Sequence, residues 1–327
     1  MKVILLTEQE IRRCIRMDAE AIQVVEDGFS RLSKGEVVMP PIMRVDIPEN
    51  NGEVDVKSAY VRGLDGFAVK MSSGFFDNYK LGLPSLSGMM ILLSAKTGVP
   101  LAVLLDNGYL TDIRTGAAGA VAAKYLAPET VETAGIIGAG AQARYQMIAL
   151  KLVRDYQKLL VYSLEGVEKY IAEMTPVLGV EIVPVGSPED VVRNSAVVVT
   201  STPAKRPYLR GEWLHPGLHI TAMGADAESK QELFPEALEL ADALFCDRKS
   251  QCLRLGELHH GLDAGVISEE SPITELGEVT AGVKPGRRNQ DEITICDLTG
   301  TGVQDTVIAT LAYQKAREQG LGLEIVS

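Results

Sequence analysis

"ETAGIIGAGAQARYQ", residues 132–146, decides how the rest of the chain is read. Its core, Gly138-Ala139-Gly140-Ala141-Gln142-Ala143, fits G-x-G-x-x-G/A, a pattern too common at turns to mean much alone. Context gives it weight. Residues 134 to 137 before it have strand character, and Ala143, Met147, Leu150 and Val153 after it recur at helical spacing. Gly138 then permits the tight turn, Gly140 admits a pyrophosphate to the backbone, and Ala143 lets the helix lie close on the sheet. The N–H groups at the helix start, with Ala141 and Gln142 in its first turn, favour phosphate oxygens. The stretch is expected to cradle a nicotinamide dinucleotide.

Such a cradle normally has an acid about 20 residues on, at the end of the second strand, to accept the ribose hydroxyls. Here the strand is "KLLVYS", and Ser163 holds that place, followed by Leu164 and Glu165. There is no Asp there and no Arg to pair a 2′-phosphate. The choice between NAD(H) and NADP(H) stays open at this point, with NAD(H) preferred.

Downstream of the glycine loop, "KLLVYS", "EIVPV", "AVVVTS", "LHITAMG", "ALFCD" and "EITICDL" are apolar on both faces, as strands of a covered parallel sheet are. Helical or turn-like segments separate them, which gives a doubly wound α/β domain. Upstream, Thr7-Glu8-Gln9-Glu10 is a capping-box signature for a first helix. A second helix is predicted over residues 18 to 34, ending at Lys34-Gly35. "IMRVDIP", "EVDVKSAYV", "GFAVKMSSG", "SGMMILLSA" and "PLAVLLD" read as strands of a mostly antiparallel sheet. Residues 111 to 126 read as a helix with Thr111 as N-cap, and residues 303 to 318 as a final helix. The fold class is therefore α/β: a Rossmann-type doubly wound parallel sheet plus an α+β domain.

With 327 residues, two domains are expected. A net charge of −12 argues against nucleic acid or an anionic membrane surface as partner. No apolar run approaches the length of a membrane span, and the start "MKVILLTE" is too short for a signal peptide. The four cysteines (Cys14, Cys246, Cys252, Cys296) make no metal spacing and read as reduced buried thiols, so a cytoplasmic location is expected. Adjacent His259 and His260 point about 100° apart on a helix, with His215 and His219 far off in sequence, so no metal site is expected. Trp213, with Leu209 and Leu214, reads as packing.

Four charged residues invite a site reading, each with a plain alternative. Arg114, near the start of the helix capped by Thr111, could take a carboxylate bidentately or sit in a surface ion pair. Lys70 alternates with Phe67 and Val69 in "GFAVK", where an exposed face is the ordinary place for a lysine. Arg44 in "IMRVDIP" is equally ambiguous. Asp226 in "TAMGADAESK" follows a strand at the edge where α/β ligands sit, or else caps a helix running from Glu228 to Ala241.

Taken together these segments resemble the ornithine cyclodeaminase/μ-crystallin family over essentially the whole chain. The resemblance rests on "MPPIMR", "GFAVKMSSGFFDN", "LLDNGYLTDIRTGAAGAVAAKYLA", "GIIGAGAQA", "MGADAESKQEL" and "LTGTGVQD", in that order. "GEVDVKSAYV", "GFFDN" and "LGLPSLSGMMIL" look most like the ectoine-utilisation cyclodeaminase-like branch. The resemblance implies a substrate-binding and dimerisation domain from residues 1–117 with 308–327, a Rossmann domain from 118–307, and a homodimer. It implies that Arg44, Lys70 and Arg114 surround a substrate carboxylate, with Lys70 also near the reacting nitrogen. Asp226 would handle the proton or amine, and Asp55 falls where cyclodeaminases carry a nearby acid. Ser201 and Thr202 would lie near the cofactor ribose, Met223 beside the cofactor, and Thr299, Gly300 and Thr301 near the nicotinamide.

The activity implied is hydride transfer at the α-carbon of a small α-amino or α-imino acid, ending in deaminating cyclisation of a diaminobutyrate-type substrate. A ketimine reductase or alanine-dehydrogenase-like enzyme performs half of that chemistry. The family also includes a lens crystallin, so a non-catalytic NAD(P)H-binding protein is the alternative of another class. Retention of Arg44, Lys70, Arg114 and Asp226 together favours an enzyme.

Overall fold

Thr7 closes strand β1 (Lys2–Thr7) and caps helix α1 (Glu8–Cys14). Its hydroxyl accepts from the Glu10 N–H while the Glu10 carboxylate takes the Thr7 N–H, the reciprocal box that "TEQE" predicts. Asp18 caps α2 (Ala19–Ser33). There follow β2 (Val37–Val38), β3 (Met43–Ile47), β4 (Gly52–Val61), β5 (Gly66–Phe75), β6 (Leu86–Ser94), β7 (Pro100–Leu105) and α3 (Tyr109–Leu126). Next come β8 (Thr133–Ile137), α4 (Ala141–Val153), β9 (Lys158–Tyr162), α5 (Val167–Leu178), β10 (Glu181–Pro184), α6 (Pro188–Arg193) and β11 (Val197–Thr200). The chain continues through β12 (His219–Ala222), α7 (Pro235–Leu240), β13 (Ala243–Cys246), α8 (Lys249–Leu255), α9 (Glu257–Asp263), β14 (Ile273–Glu275) and α10 (Leu276–Thr280). It ends with β15 (Thr294–Asp297), α11 (Gly302–Glu318) and β16 (Leu323–Val326).

This computed structural model describes residues 2–326, which fall into two units: Met1–Arg114 with Thr301–Ser327, and Thr115–Gly300. The divisions fall at 114/115 and 300/301, whereas the family resemblance put them at 117/118 and 307/308. The later one moves because all of α11 belongs to the first unit, where it packs on β4, β5 and α2.

In the first unit the strand order is β16-β1-β7-β6-β5-β4-β2, with β3 also paired to β4. Every pairing is antiparallel except β1 with β7. Along β5 the face carrying Gly66, Ala68 and Lys70 is buried, and α11 covers it. The Thr306 hydroxyl clips the helix to both strands, donating to the Ala59 carbonyl (2.6 Å) and accepting from the Ala68 N–H (3.0 Å). β16 pairs with β1, and its four residues are all exposed.

The second unit holds an eight-stranded, wholly parallel sheet in the order β10-β9-β8-β11-β12-β15-β13-β14. The order reverses at the β8/β11 boundary, the place where open α/β sheets bind ligands. Ala143, Met147 and Leu150 of α4 are buried against Ile136, Leu159 and Val161, as their spacing predicts.

Two local expectations are corrected. Thr111 is not an N-cap: α3 starts at Tyr109, and the Asp106 carboxylate takes the Leu110 N–H (2.8 Å) at its start. No helix runs from Glu228 to Ala241; α7 covers only Pro235–Leu240, because Pro235 can start a helix but not continue one. Asp226 therefore caps no such helix and lies in an irregular loop.

His219 on β12 is fully buried between the hydroxyls of Thr294 (2.8 Å) and Thr221 (3.0 Å). Burial, then the charges of Arg287 and Arg154, push its pKa down to about 3. The folded state thus binds the proton less well than the unfolded chain does. Its contribution to stability is full above the unfolded pKa of roughly 6.5 and is lost as pH falls toward 3, at up to about 1.4 kcal/mol per pH unit. His219→Gln should therefore be less stable than wild type at pH 7, and the gap in urea midpoints should narrow toward pH 4.5. A gap independent of pH would show that His219 is not held neutral.

Candidate active site

The glycine loop joins β8 to α4. Gly138 has φ +119°, and a Cβ there would lie 2.9 Å from Ser201 Oγ and 3.0 Å from the Ser201 carbonyl oxygen. Only glycine fits that turn. Gly140 is different: its φ of −80° suits any residue, and a Cβ added to it would meet no atom within 4 Å. Neither strain nor packing within the chain calls for glycine here, so the open space is available to a ligand. Gly140 also occupies the N-cap of α4 without a side-chain cap, so Ala141 and Gln142 open the helix at the dipole end that favours an anion. Arg144 folds back from the first turn onto the Gly140 carbonyl (2.8 Å) and pairs with Glu173 of α5.

Ser163 follows β9 directly, and beyond it Leu164 is 90% exposed and Glu165 exposed. Ser201 and Thr202 follow β11, Met223 follows β12, and Thr299 and Gly300 follow β15, all at the carboxyl ends of parallel strands. A residue that sequence reading missed fixes the last of these loops. Buried Asp247 accepts from the Gly300 N–H (2.7 Å) and the Thr299 hydroxyl (3.1 Å). Thr301 belongs to the first unit, where it forms a capping box with Gln304 at the start of α11.

In the first unit the structure brings Lys70 and Arg114 together around a partner not singled out from sequence, Asp305 in the first turn of α11. Lys70 Nζ lies 3.2 Å and Arg114 Nε 3.0 Å from the carboxylate, and all three side chains are buried. Arg114 Nε is not aimed well enough at the carboxylate to make a hydrogen bond, whereas Lys70 Nζ stands within reach of Asp305 Oδ2. Lys57, also buried, stands directly across from Lys70 in the β4–β5 register. Burial, then the charge of Arg114, lowers the Lys70 pKa to about 7, with Asp305 opposing the shift. Buried Asp106 also acts on the Lys70 charge, and Arg114 Nε is the donor of this charged cluster that remains unspent.

Arg44 makes ion pairs of its own. On β3 it pairs with Asp46 (2.9 Å), Glu53 and Asp55 (3.8 Å). Asp55 Oδ1 is buried and accepts no hydrogen bond. In the second unit Asp226 is paired with Lys230 (2.6 Å). Among the described residues no group of three or more His, Cys, Asp or Glu side chains could hold a metal. His259 pairs with Asp263, and His260 contacts the Lys230 carbonyl. All four cysteines are free and buried. No described helix is long and apolar enough to cross a membrane.

Fold and side chains define a Rossmann-type protein with a cluster of buried charges on its antiparallel unit. The chain belongs to the ornithine cyclodeaminase/mu-crystallin family, which it matches over residues 1–320. It is 51% identical to a protein of Sinorhizobium fredii described as an uncharacterized cyclodeaminase, with 97% of each chain covered. Among solved structures it is similar to the Δ1-pyrroline-2-carboxylate reductase of Thermococcus litoralis in complex with NADH and L-proline. That match has 36% identity and a TM-score of 0.94, covering 98% of this chain and 100% of the other. An archaeal alanine dehydrogenase dimer with bound NAD matches at 35% identity and a TM-score of 0.93, covering 100% and 99%.

The open space at Gly140 separates a ligand role from a structural one. Gly140→Ala should change unfolding free energy by no more than about 1 kcal/mol, the scale of an N-cap exchange. NADH affinity, followed by fluorescence titration, should fall by about tenfold or more, since a methyl group intrudes where phosphate approaches. Unchanged affinity would return the glycine loop to a purely structural reading.

Proposed function

We propose that this chain is an NAD(H)-dependent enzyme of amino-acid metabolism that moves hydride at the α-carbon of a small α-amino or α-imino acid, with deaminating cyclisation as its reaction. One observation carries the reading: buried Lys70 and Arg114 share the carboxylate of Asp305, and Arg114 Nε is left without a hydrogen bond. Such an unspent donor suits the α-carboxylate of an amino acid. The relatives that share the fold support the rest, because the reductase is solved with NADH and L-proline and the dehydrogenase with NAD. Exposed Glu165, and Leu164 where an arginine would meet a 2′-phosphate, support NAD(H) over NADP(H).

A bound nicotinamide supplies the hydride acceptor and donor. Lys70 and Arg114 hold the carboxylate, and Lys70, titrating near neutrality, is able to exchange a proton with the reacting nitrogen. Asp226 is assigned to stabilise the cationic iminium form of the substrate. A distal amine of the substrate would displace ammonia from its α-carbon, and with a nicotinamide that both takes and returns hydride the course would carry no net redox change. Asp55 Oδ1, 3.8 Å from Arg44 and without a hydrogen bond, supports this course over simple reduction, since a carboxylate there suits a distal ammonium. Imine reduction, which stops at one hydride transfer, is the second reading.

The first unit also exposes Met43 and Val45 on β3 and Tyr79, Leu81, Leu83 and Leu86 beyond β5, apolar area that suits a second copy of this chain. The archaeal relative is solved as a dimer. Sedimentation equilibrium should give twice the mass of 35.2 kDa; a monomer at micromolar concentration would sink this part of the reading.

The deciding assay follows NADH absorbance and ammonia together, with ornithine, 2,4-diaminobutyrate and cyclic or linear imino acids. Ammonia release from a diamino acid without net NADH change supports cyclisation, and net NADH oxidation by an imino acid supports the reductase. NADH binding without turnover of any of them leaves a binding protein. Asp226→Asn should abolish turnover while leaving NADH affinity nearly unchanged, and retained turnover would remove its assigned role. Because the carboxylate needs Lys70 charged, affinity for it should fall as pH rises through about 7. A flat profile would mean that Lys70 does not bind it.

A further inference from the structure

Glu232 lies in the irregular stretch between β12 and α7 and is fully buried. Its Oε1 accepts from the Thr202 N–H (2.7 Å), the Thr202 hydroxyl (2.6 Å) and the Tyr208 hydroxyl (2.8 Å). Its Oε2 accepts from the Thr200 hydroxyl (2.6 Å) and the Gly224 N–H (2.9 Å). None of these partners is a cation, so the group is buried at a substantial desolvation cost that only these donors offset. The backbone beneath it is fixed as well: the N–H groups of Glu232 and Leu233 donate to buried Glu257 (2.8 and 3.1 Å).

Core packing asks for no charge at this point. What the carboxylate does is tie together two loops, the one after β11 that carries Ser201 and Thr202 and the one after β12 that carries Met223 and Gly224. Those strand ends lie on one side of the glycine loop's strand, β8, in the sheet order. We propose that Glu232 is a positioning residue for the nicotinamide half of the dinucleotide, setting the spacing of these two loops while the glycine loop holds the diphosphate half. This inference rests on the NAD(H) reading above.

The geometry supplies its own isosteric test. Each Glu232 oxygen accepts one backbone N–H, and a backbone N–H cannot reverse its role. In Glu232→Gln the amide NH2 must face one of those N–H groups whichever way it is turned, so one loop is released while side-chain volume is kept. Two ligands separate positioning from general damage: NADH, and ADP-ribose, which lacks the nicotinamide. For Glu232→Gln the NADH dissociation constant should rise about tenfold or more, the scale of one lost charge-assisted hydrogen bond, and that for ADP-ribose by less than about threefold. Equal weakening of both ligands, or no weakening of NADH, overturns the proposal.

If that variant does not fold, Tyr208→Phe removes one hydroxyl donor and no backbone bond. NADH should then weaken by about threefold with ADP-ribose unchanged, as for one neutral hydrogen bond; an unchanged NADH constant overturns the proposal. Wild-type protein that binds neither ligand overturns the dinucleotide reading itself and the inference with it. Wild type that binds both, with an indifferent Glu232→Gln, overturns the inference alone.

Discussion

Asp305, buried between Lys70 and Arg114, is the contact on which the first unit depends. A carboxylate in the first turn of α11 is favoured there by the helix dipole, and two cations from β5 and α3 neutralise it. Removing one partner of a buried ion pair leaves an uncompensated charge and typically costs about 3–5 kcal/mol, a large part of the stability of a domain. The last helix is therefore bound to the first sheet by charge as well as by the Thr306 clip. The same arrangement makes the cluster responsive to anions. Asp305 serves two cations, with Lys57 adjacent, and the poor alignment of Arg114 Nε leaves hydrogen-bonding capacity unused.

The second unit solves a different problem. The carboxyl ends of its parallel strands must present loops of defined shape without packing their own apolar side chains into the ligand's space. Buried acids do this by collecting backbone N–H groups: Glu232 from Thr202 and Gly224, Asp247 from Gly300, and Asp297 from Leu258. So many acids would repel one another if all were ionised. Burial, opposed in part by the Leu258 N–H, raises the Asp297 pKa to about 8, so that member is mostly neutral at pH 7 and the repulsion is reduced.

How much of this was legible depends on whether the signal is local. The glycine loop, the capping box at Thr7 and the apolar runs of β8 to β13 and β15 depend on neighbours within a few residues, and they appear as read. Thr111 misled because a hydroxyl before a helical pattern looks like a cap, while the donor at the start of α3 is taken by Asp106. Lys70 and Arg114 stood out only through resemblance to a family; their common partner, about 200 residues on in the chain, carries no local mark. Asp305 was within the quoted "LTGTGVQD", yet nothing in that string tells a partnered acid from a helix-starting one. Glu232 was hidden in the same way at the end of "MGADAESKQEL".

The sequence by itself determined the class of the fold, the position of the dinucleotide loop and the family, because each of these is written in short-range spacing. Only the tertiary structure decided which charges meet. It joined Lys70 and Arg114 through Asp305, paired Arg44 with Asp46, Glu53 and Asp55, and made Glu232 the tie between two loops. The physical reason is that an ion pair or a buried hydrogen bond depends on distance in space. The chain separations involved here carry no periodicity from which that distance could be read.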